Sequence, residues 1–295
     1  MRFHDRADFS ADKPTCSMLL AVWGVTPEEA TVLANLPQTV LVHASDEQRD
    51  HDTSSYSSVS AVFRQHLKNN ETLAYLLDNS MKSKQRVHWI PAGYGNFKVM
   101  PAFQQSFSSR GLLWSWMGSV VDKPERYQMV ELMRSADAEI MDKGLLLVFD
   151  VMGGQGSKSP TDYSPILYDT KFVPLPAGTS PEHFRVWETL EAGCIPIVLK
   201  QHTEPDAVLW PLAALNFKYI TLEEWSKLPQ LLATLQQSGQ SRFDDWQAHN
   251  NRKWAAVKEI ISDTVAEQVC KAASKAGLVE SKVLGTARLR NHGDH

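Results

Sequence analysis

Cysteine is scarce in this chain. The three residues, Cys16, Cys194 and Cys270, are odd in number and far apart. They form no C-x-x-C pair and no Cys/His cluster, which excludes a disulfide framework and a zinc module of the finger type. Cys194 stands inside an apolar run and reads as a small core hydrophobe. An excess of positive charge is also missing: the formal net charge of −4 argues against a nucleic-acid binder that works by bulk electrostatics. No apolar run approaches the roughly 20 residues of a membrane-spanning helix. The first residues, Met1 to Arg6, lack the pattern of a signal peptide. Internal repeats and low-complexity blocks are absent. No Asp-x-Asp motif closes a strand, since Phe243-Asp-Asp245 falls in a helical pattern. What is present is globular. A hydrophobic content of 43% over 295 residues suits one large domain or two of ordinary size.

The rest of the chain is organised around residues 171–200, which read as strand, loop, helix, strand. Phe172 to Leu175 is a short apolar run, and Ala177 and Gly178 turn the chain. Ser180 is expected as N-cap with Pro181 in the first helical position, and Gly193 as the C′ stop. Cys194 to Leu199 then reads as a second buried strand. Within the expected helix 181–192, Phe184, Trp187 and Leu190 share one face; Arg185, Glu188 and Ala192 share another. The helix N-terminus at 180–182, just past a strand end and a glycine turn, is a natural seat for an anionic group. Glu182 would compete with such an anion and is expected to point to solvent.

Strand–helix alternation with near-continuous apolar strands marks an α/β chain with parallel sheets. Strands are expected at Met18 to Trp23, Thr39 to Ala44, 87–93, Leu112 to Gly118, Leu145 to Phe149 and 218–220. Helices are expected at 26–35, Ser57 to Leu67, Glu71 to Met81, Pro124 to Ala136, Ser164 to Tyr168, Asp206 to Leu215 and Thr221 to Gln237. Ser241 to about Ala273 reads as one long helix with Phe243, Trp246, Trp254, Val257 and Ile261 as its apolar contacts. Residues 98–110 are a polar connector. Residues 1–17 and 274–295 read as unstructured ends. Gly153 to Ser159 is glycine-rich, but its spacing is neither that of a Walker loop nor of G-x-G-x-x-G.

The segment "KFVPLPAG…FRVWETLEAGCIPIVL" resembles the donor-site segment of the exostosin-type glycosyltransferases, and within that group the ribitol xylosyltransferase branch most closely. Arg185, Glu188, Leu190, Gly193, Ile195 and Pro196 fall in register with its pattern, while His183 stands where the family usually has Ser or Thr. "TVLVHASDE", "SAVFRQHL" and "VHWIPAGYGNF" are similar to further family segments, so the resemblance spans roughly 39–200. It implies a GT-B-like fold of two doubly wound, Rossmann-like domains, the first possibly incomplete. The divisions expected are 1–100 on the acceptor side, 101–240 for the donor, a C-terminal helix over 241–273, and a tail over 274–295. The lack of Asp-x-Asp fits the same architecture, with no metal and no other cofactor. The implied partners are a nucleotide-sugar donor, UDP-linked by expectation, and a glycan or glycoprotein acceptor. The outcome would be inversion at the anomeric carbon. Family members usually work in the Golgi behind an N-terminal anchor; these residues show no such segment, so the expectation is either a piece of a longer, anchored protein or a soluble one.

On periodicity alone Arg185 and Glu188 are an i,i+3 ion pair of small value. By resemblance, Arg185 faces the donor diphosphate and Glu188 the ribose hydroxyls, with Gly178, Ser180 and His183 around them. Guanidinium suits phosphate oxygens. Arg64 and Arg126 are candidates for further positive charge against the leaving diphosphate. Asp46 and Glu47, just past a strand end, are candidates for the base that takes the acceptor proton, although such a pair also serves as a turn cap. His43 reads as a core histidine, and Tyr94 is a candidate stacking residue. Two rivals stay open: a catalytically inactive or truncated nucleotide-sugar-binding protein, and a nucleotide-dependent α/β enzyme of another class, such as an epimerase. Fewer than four strands in the first sheet would favour the truncated form.

Overall fold

The computed structural model describes residues 18–21, 39–44, 46–67, 70–81, 84–95, 97–100, 104–149 and 159–275. The expectations for 1–17, 26–35, 153–158 and the tail beyond 275 lie outside them. The described strands form two parallel sheets. The first holds β1 (Met18–Ala21), β2 (Val40–His43), β3 (Ala61–Arg64) and β4 (Val87–Trp89), in the order β1-β2-β3-β4. The second holds β5 (Leu112–Gly118), β6 (Gly144–Val148), β7 (Thr170–Pro174), β8 (Ile195–Leu199) and β9 (Ile220–Leu222), in the order β6-β5-β7-β8-β9. All pairings are parallel; Phe172 sits opposite Ile195, and Val62 opposite Val87.

Both sheets are covered on both faces, as parallel sheets must be. Along β7 and β8, Phe172, Ile195 and Ile197 point into one apolar cluster, while Val173 and Val198 point into the other. The first sheet repeats the alternation: Leu41 and Val62 pack on one side, Val40 and Phe63 on the other. The helices among the described residues are α1 (Ala74–Leu77), α2 (Pro124–Arg134), α3 (Ala138–Met141), α4 (Pro160–Tyr168), α5 (Phe184–Glu191), α6 (Trp210–Ala214), α7 (Leu228–Gln237) and α8 (Ser241–Lys275). At about 1.5 Å per residue, α8 is roughly 50 Å long. Its first half buries Phe243 and Trp254 against the second sheet. Its last turns bring Val265, Val269 and Ala272 onto Val40 and Phe63 of the first. Trp187 stacks on Trp254 at 5.3 Å and lies 5.4 Å from Trp89, so aromatic rings continue the core from one sheet to the other.

Several expectations are corrected. Residues 57–67 are not a helix. A 3₁₀ turn at Ser54–Ser58 is followed by β3, whose four residues are all buried. Continuous burial in a central parallel strand erases the period-2 pattern, and Val62 and Phe63 favour the sheet. The helix expected at 71–81 is broken into short pieces around α1. Residues 221–237 divide into β9, a 3₁₀ turn and α7, which begins just before Pro229. The organising helix starts at Phe184 rather than Pro181, with extended His183 as its cap residue. Glu182 explains the delay. Its carboxylate is drawn inward to the first sheet, which holds 180–183 out of helical geometry. Phe184 leaves the expected core face and is 41% exposed; it lies against Gly95 instead. Gly193 ends the helix as expected, at φ 73°.

Candidate functional site

The order β6-β5-β7-β8-β9 has one reversal. The chain steps from β5 to β6 on one side, then returns to β7 on the other. In open parallel sheets, ligands bind outside the carboxyl ends of the strands flanking such a switch point. Here the loops after β5 and β7 meet at that place. The first leads through Lys123 into α2, which carries Arg126; the second runs through Gly178 and His183 into α5, which carries Arg185.

Arg185 donates to the Met117 carbonyl at the end of β5, and its guanidinium carbon lies 5.4 Å from the Trp116 ring centroid. Arg126 donates to Ser119 O at 3.3 Å. The two guanidinium groups repel each other. Burial and that repulsion push Arg126 down to about 10, only partly opposed by Glu47 and Glu125. Neither arginine has an ion-pair partner among the described residues, and the Nε of each is buried without a hydrogen bond. His183 contributes no charge. Its Nε2 lies 3.2 Å from Pro176 O, and burial beside Arg126 and Arg185 holds it well below the usual range. Gly178 leaves room for Arg126, since a Cβ there would lie 2.5 Å from an Arg126 Nη and push that side-chain end aside. Lys123 donates to Thr179 Oγ1 at 2.8 Å. Glu125 braces the loop from behind: it accepts from Ala177 N at 2.6 Å and Trp225 Nε1 at 3.0 Å, with His202 Nε2 3.5 Å away. Two half-buried guanidinium groups with no ion-pair partner among the described residues have the chemistry to receive an extended, multiply charged anion.

Glu188 lies behind this pair and is 3% exposed. It accepts from Gly95 N at 2.9 Å and from Tyr163 OH at 2.8 Å. Glu182, expected in solvent, is 1% exposed. It accepts from Ala92 N at 3.2 Å and Trp187 Nε1 at 3.2 Å, with Trp89 Nε1 3.5 Å away. Burial pushes it up to about 8 in spite of these donors. Both carboxylates thus tie the α5 region to the segment that follows β4. Tyr94 is similarly occupied, by Glu191 and Trp254. Ser180 caps no helix, and its buried Oγ has no partner among the described residues.

Arg64 does not join the arginine pair. It is 1% exposed at the end of β3 and forms an ion pair with Asp46, which is fully buried. Burial pushes Asp46 up, but the His51 backbone N–H at 3.1 Å, then Arg64, outweigh it together and hold the carboxylate below its ordinary range. Glu47, one residue on, is exposed and close enough to Arg126 to act on it electrostatically. The site therefore brings together Arg126, Arg185, Gly178, His183 and Glu47, and leaves Asp46 and Arg64 in the first sheet. A cavity of about 410 Å³ near Tyr56, Arg64 and Arg86 opens on that sheet and does not touch the arginine pair. Sequence reasoning missed Lys123, Glu125 and Tyr163. The first two offered a signal: a polar loop followed by Pro at the first helical position, directly after an apolar strand.

No curated protein gives a significant match to the chain. Among solved structures, HepE of Anabaena in complex with UDP is similar at a TM-score of 0.49 and 10% identity, covering 85% of this chain and 79% of that one. WaaG, a glycosyltransferase involved in lipopolysaccharide biosynthesis, aligns at 0.48 and 14% identity, covering 85% and 76%. The pneumococcal O-GlcNAc transferase GtfA, in complex with UDP and GlcNAc, aligns at 0.42 and 12%, covering 86% and 56%. The family model described as the RXYLT1 C-terminal domain matches residues 94–271, which contain β5 to β9, both arginines and most of α8. The chain belongs to the RXYLT1 C-terminal domain family, within the ribitol xylosyltransferase branch to which residues 171–200 pointed.

Proposed function

We propose that this protein is a glycosyltransferase that moves a sugar from a UDP-linked donor to an acceptor hydroxyl, with inversion. The observation that carries this reading is the pair Arg126 and Arg185 at the switch point of the second sheet, half-buried, mutually repelling and with no ion-pair partner among the described residues. The donor diphosphate lies against these guanidinium groups and Lys123, with the Gly178 turn giving its oxygens close access to the backbone. As the anomeric carbon–oxygen bond breaks, negative charge grows on the leaving phosphate, where the two arginines are already in place and need no reorganisation. The same side chains supply the positive charge, so no resident metal is assigned to this step.

The acceptor proton goes to Glu47 rather than Asp46. Asp46 is buried in an ion pair, and a carboxylate held ionised by Arg64 is a weak base. Glu47 is exposed and near enough to Arg126 to act on it electrostatically. Its oxygen takes the hydroxyl proton while the acceptor oxygen attacks the anomeric carbon from the face opposite the diphosphate. A glycan or glycoprotein acceptor and a Golgi setting follow from the family resemblance.

The test is a panel of UDP-sugars read by calorimetry and product analysis. Binding of UDP with sugar transfer to an added acceptor supports the reading. UDP binding with no turnover on any donor favours a binding protein, and a changed sugar without acceptor favours an epimerase. Glu47→Gln should lower turnover at saturating donor by about 10² to 10⁴; Asp46→Asn should act through stability. If Glu47→Gln turns over like the parent, the base is elsewhere.

A further inference from the structure

The structure assigns a divalent transition-metal site to His43, Asp46 and His51, in the first sheet and apart from the arginine pair. His43 ends β2, and the other two lie on the loop that follows. One potential ligand atom from each lies within 4.8 Å of the others. His43 Nε2 and His51 Nδ1 are 3.0 Å apart, and His51 Nδ1 is 3.8 Å from Asp46 Oδ1. Ligand atoms around a tetrahedral Zn²⁺ at 2.0–2.1 Å stand about 3.3 Å from one another. The two spacings at His51 lie on either side of that value, and the two imidazole planes are within 13° of one another, so a small rotation of the half-buried His51 ring turns its Nδ1 lone pair towards an ion between the three groups.

The supporting contacts are those that metal ligands require. A ligating histidine normally commits its other ring nitrogen to a hydrogen bond, which fixes tautomer and ring plane. His43 Nδ1 lies 2.5 Å from Tyr56 OH. Ligation uses the tautomer in which Nδ1–H donates to the phenol oxygen and Nε2 keeps its lone pair. Arg64 also donates to that oxygen, at 3.2 Å. The carboxylate is split in the same manner: Asp46 Oδ2 is held by Arg64, and Oδ1 faces His51. His43 and Asp46 are fully buried, whereas the His51 side chain is 25% exposed. The open side is therefore at His51, where the ion enters and a water completes the coordination.

Two imidazoles and one carboxylate suit Zn²⁺ and its first-row neighbours rather than Mg²⁺ or Ca²⁺. The metal takes the place of the proton shared between His43 and His51. It cross-links the end of β2 to the loop carrying Glu47, four residues beyond His43. The assignment does not depend on the proposed transfer reaction.

Zn²⁺ binding by the chelator-treated full chain, in competition with a chromophoric chelator, tests it. One equivalent per chain is expected. His51→Ala, at the exposed ligand, should abolish it with the circular dichroism unchanged. Tyr56→Phe leaves all three ligands and removes the hydrogen bond behind His43; it should weaken binding by about 10- to 100-fold. Co²⁺ should give the parent the visible absorption of a four-coordinate site and give His51→Ala none. A parent that takes up less than a stoichiometric amount overturns the assignment. So does a His51→Ala protein that binds like the parent, or a Tyr56→Phe protein that binds no more weakly.

Discussion

The arginines at the ends of two parallel sheets meet opposite fates. Arg64, after β3, is met by Asp46 and sealed from solvent. Arg126 and Arg185, after β5 and β7, are drawn half out of water with no ion-pair partner among the described residues, and Glu47 and Glu125 offset the burial of Arg126 only in part. The same residue type at the same kind of strand end thus does two jobs. Where the counterion belongs to the chain, the pair is part of the fold; where the described residues supply no ion pair, the positive charge stands free for the ligand we propose. In the proposed reading, the cost of holding Arg126 beside Arg185 is recovered by the donor diphosphate, which would distinguish a binding site from a structural ion pair.

The largest expected effect breaks the paired side. Arg64→Met leaves Asp46 buried without its partner and should cost about 3–5 kcal/mol of stability. Denaturant melts should show it, with UDP affinity of the folded fraction unchanged. A loss below about 1 kcal/mol would mean the pair is solvated.

Glu182, between the sheets, sharpens the contrast, because it is buried with hydrogen-bond donors and no formal cation. Its folded value of about 8 lies above the ordinary 4.5. The folded state therefore binds the extra proton. The associated stability is fully present below pH 4.5 and is lost as pH rises through 8, with a limiting slope of about 1.4 kcal/mol per pH unit. Glu182→Gln should flatten the dependence of melting temperature on pH across that window. An unchanged profile would show that the donors from Ala92 and Trp187 keep the carboxylate ionised.

On the unpaired side, Arg185→Ala should remove a charged hydrogen bond of about 1.5–3 kcal/mol and weaken UDP binding by roughly 10- to 150-fold. Arg185→Lys should recover part of this, because an ammonium keeps the charge without the fork. Calorimetry that finds parental affinity in Arg185→Ala would reduce α5 to a packing element. The smallest effect is at Gly178. Its added Cβ meets only the end of the Arg126 side chain, so Gly178→Ala should displace that guanidinium at about 0.5–1.5 kcal/mol, a two- to twelvefold loss in affinity. Thermal stability should stay at the parent's value.

Sequence by itself determined the strand–helix–strand of residues 171–200, the parallel α/β class and the family. These follow from local signals: apolar runs, a glycine that must take positive φ at 193, and a motif in register. It also marked Arg126, Arg185 and Glu47 by type. Tertiary structure decided which charges are paired. Arg64 and Asp46 are eighteen residues apart and meet only because β2 and β3 are neighbours. β3 itself was hidden, because a strand buried on both faces shows no alternation. Glu182 and Glu188 looked available in a helical reading, yet each closes on backbone N–H groups at Ala92 and Gly95, some ninety residues away. Propensity and spacing act over a few residues, whereas desolvation and charge pairing depend on what the fold brings within a few ångströms. The chemistry of each charged group was therefore settled by the packing of the two sheets.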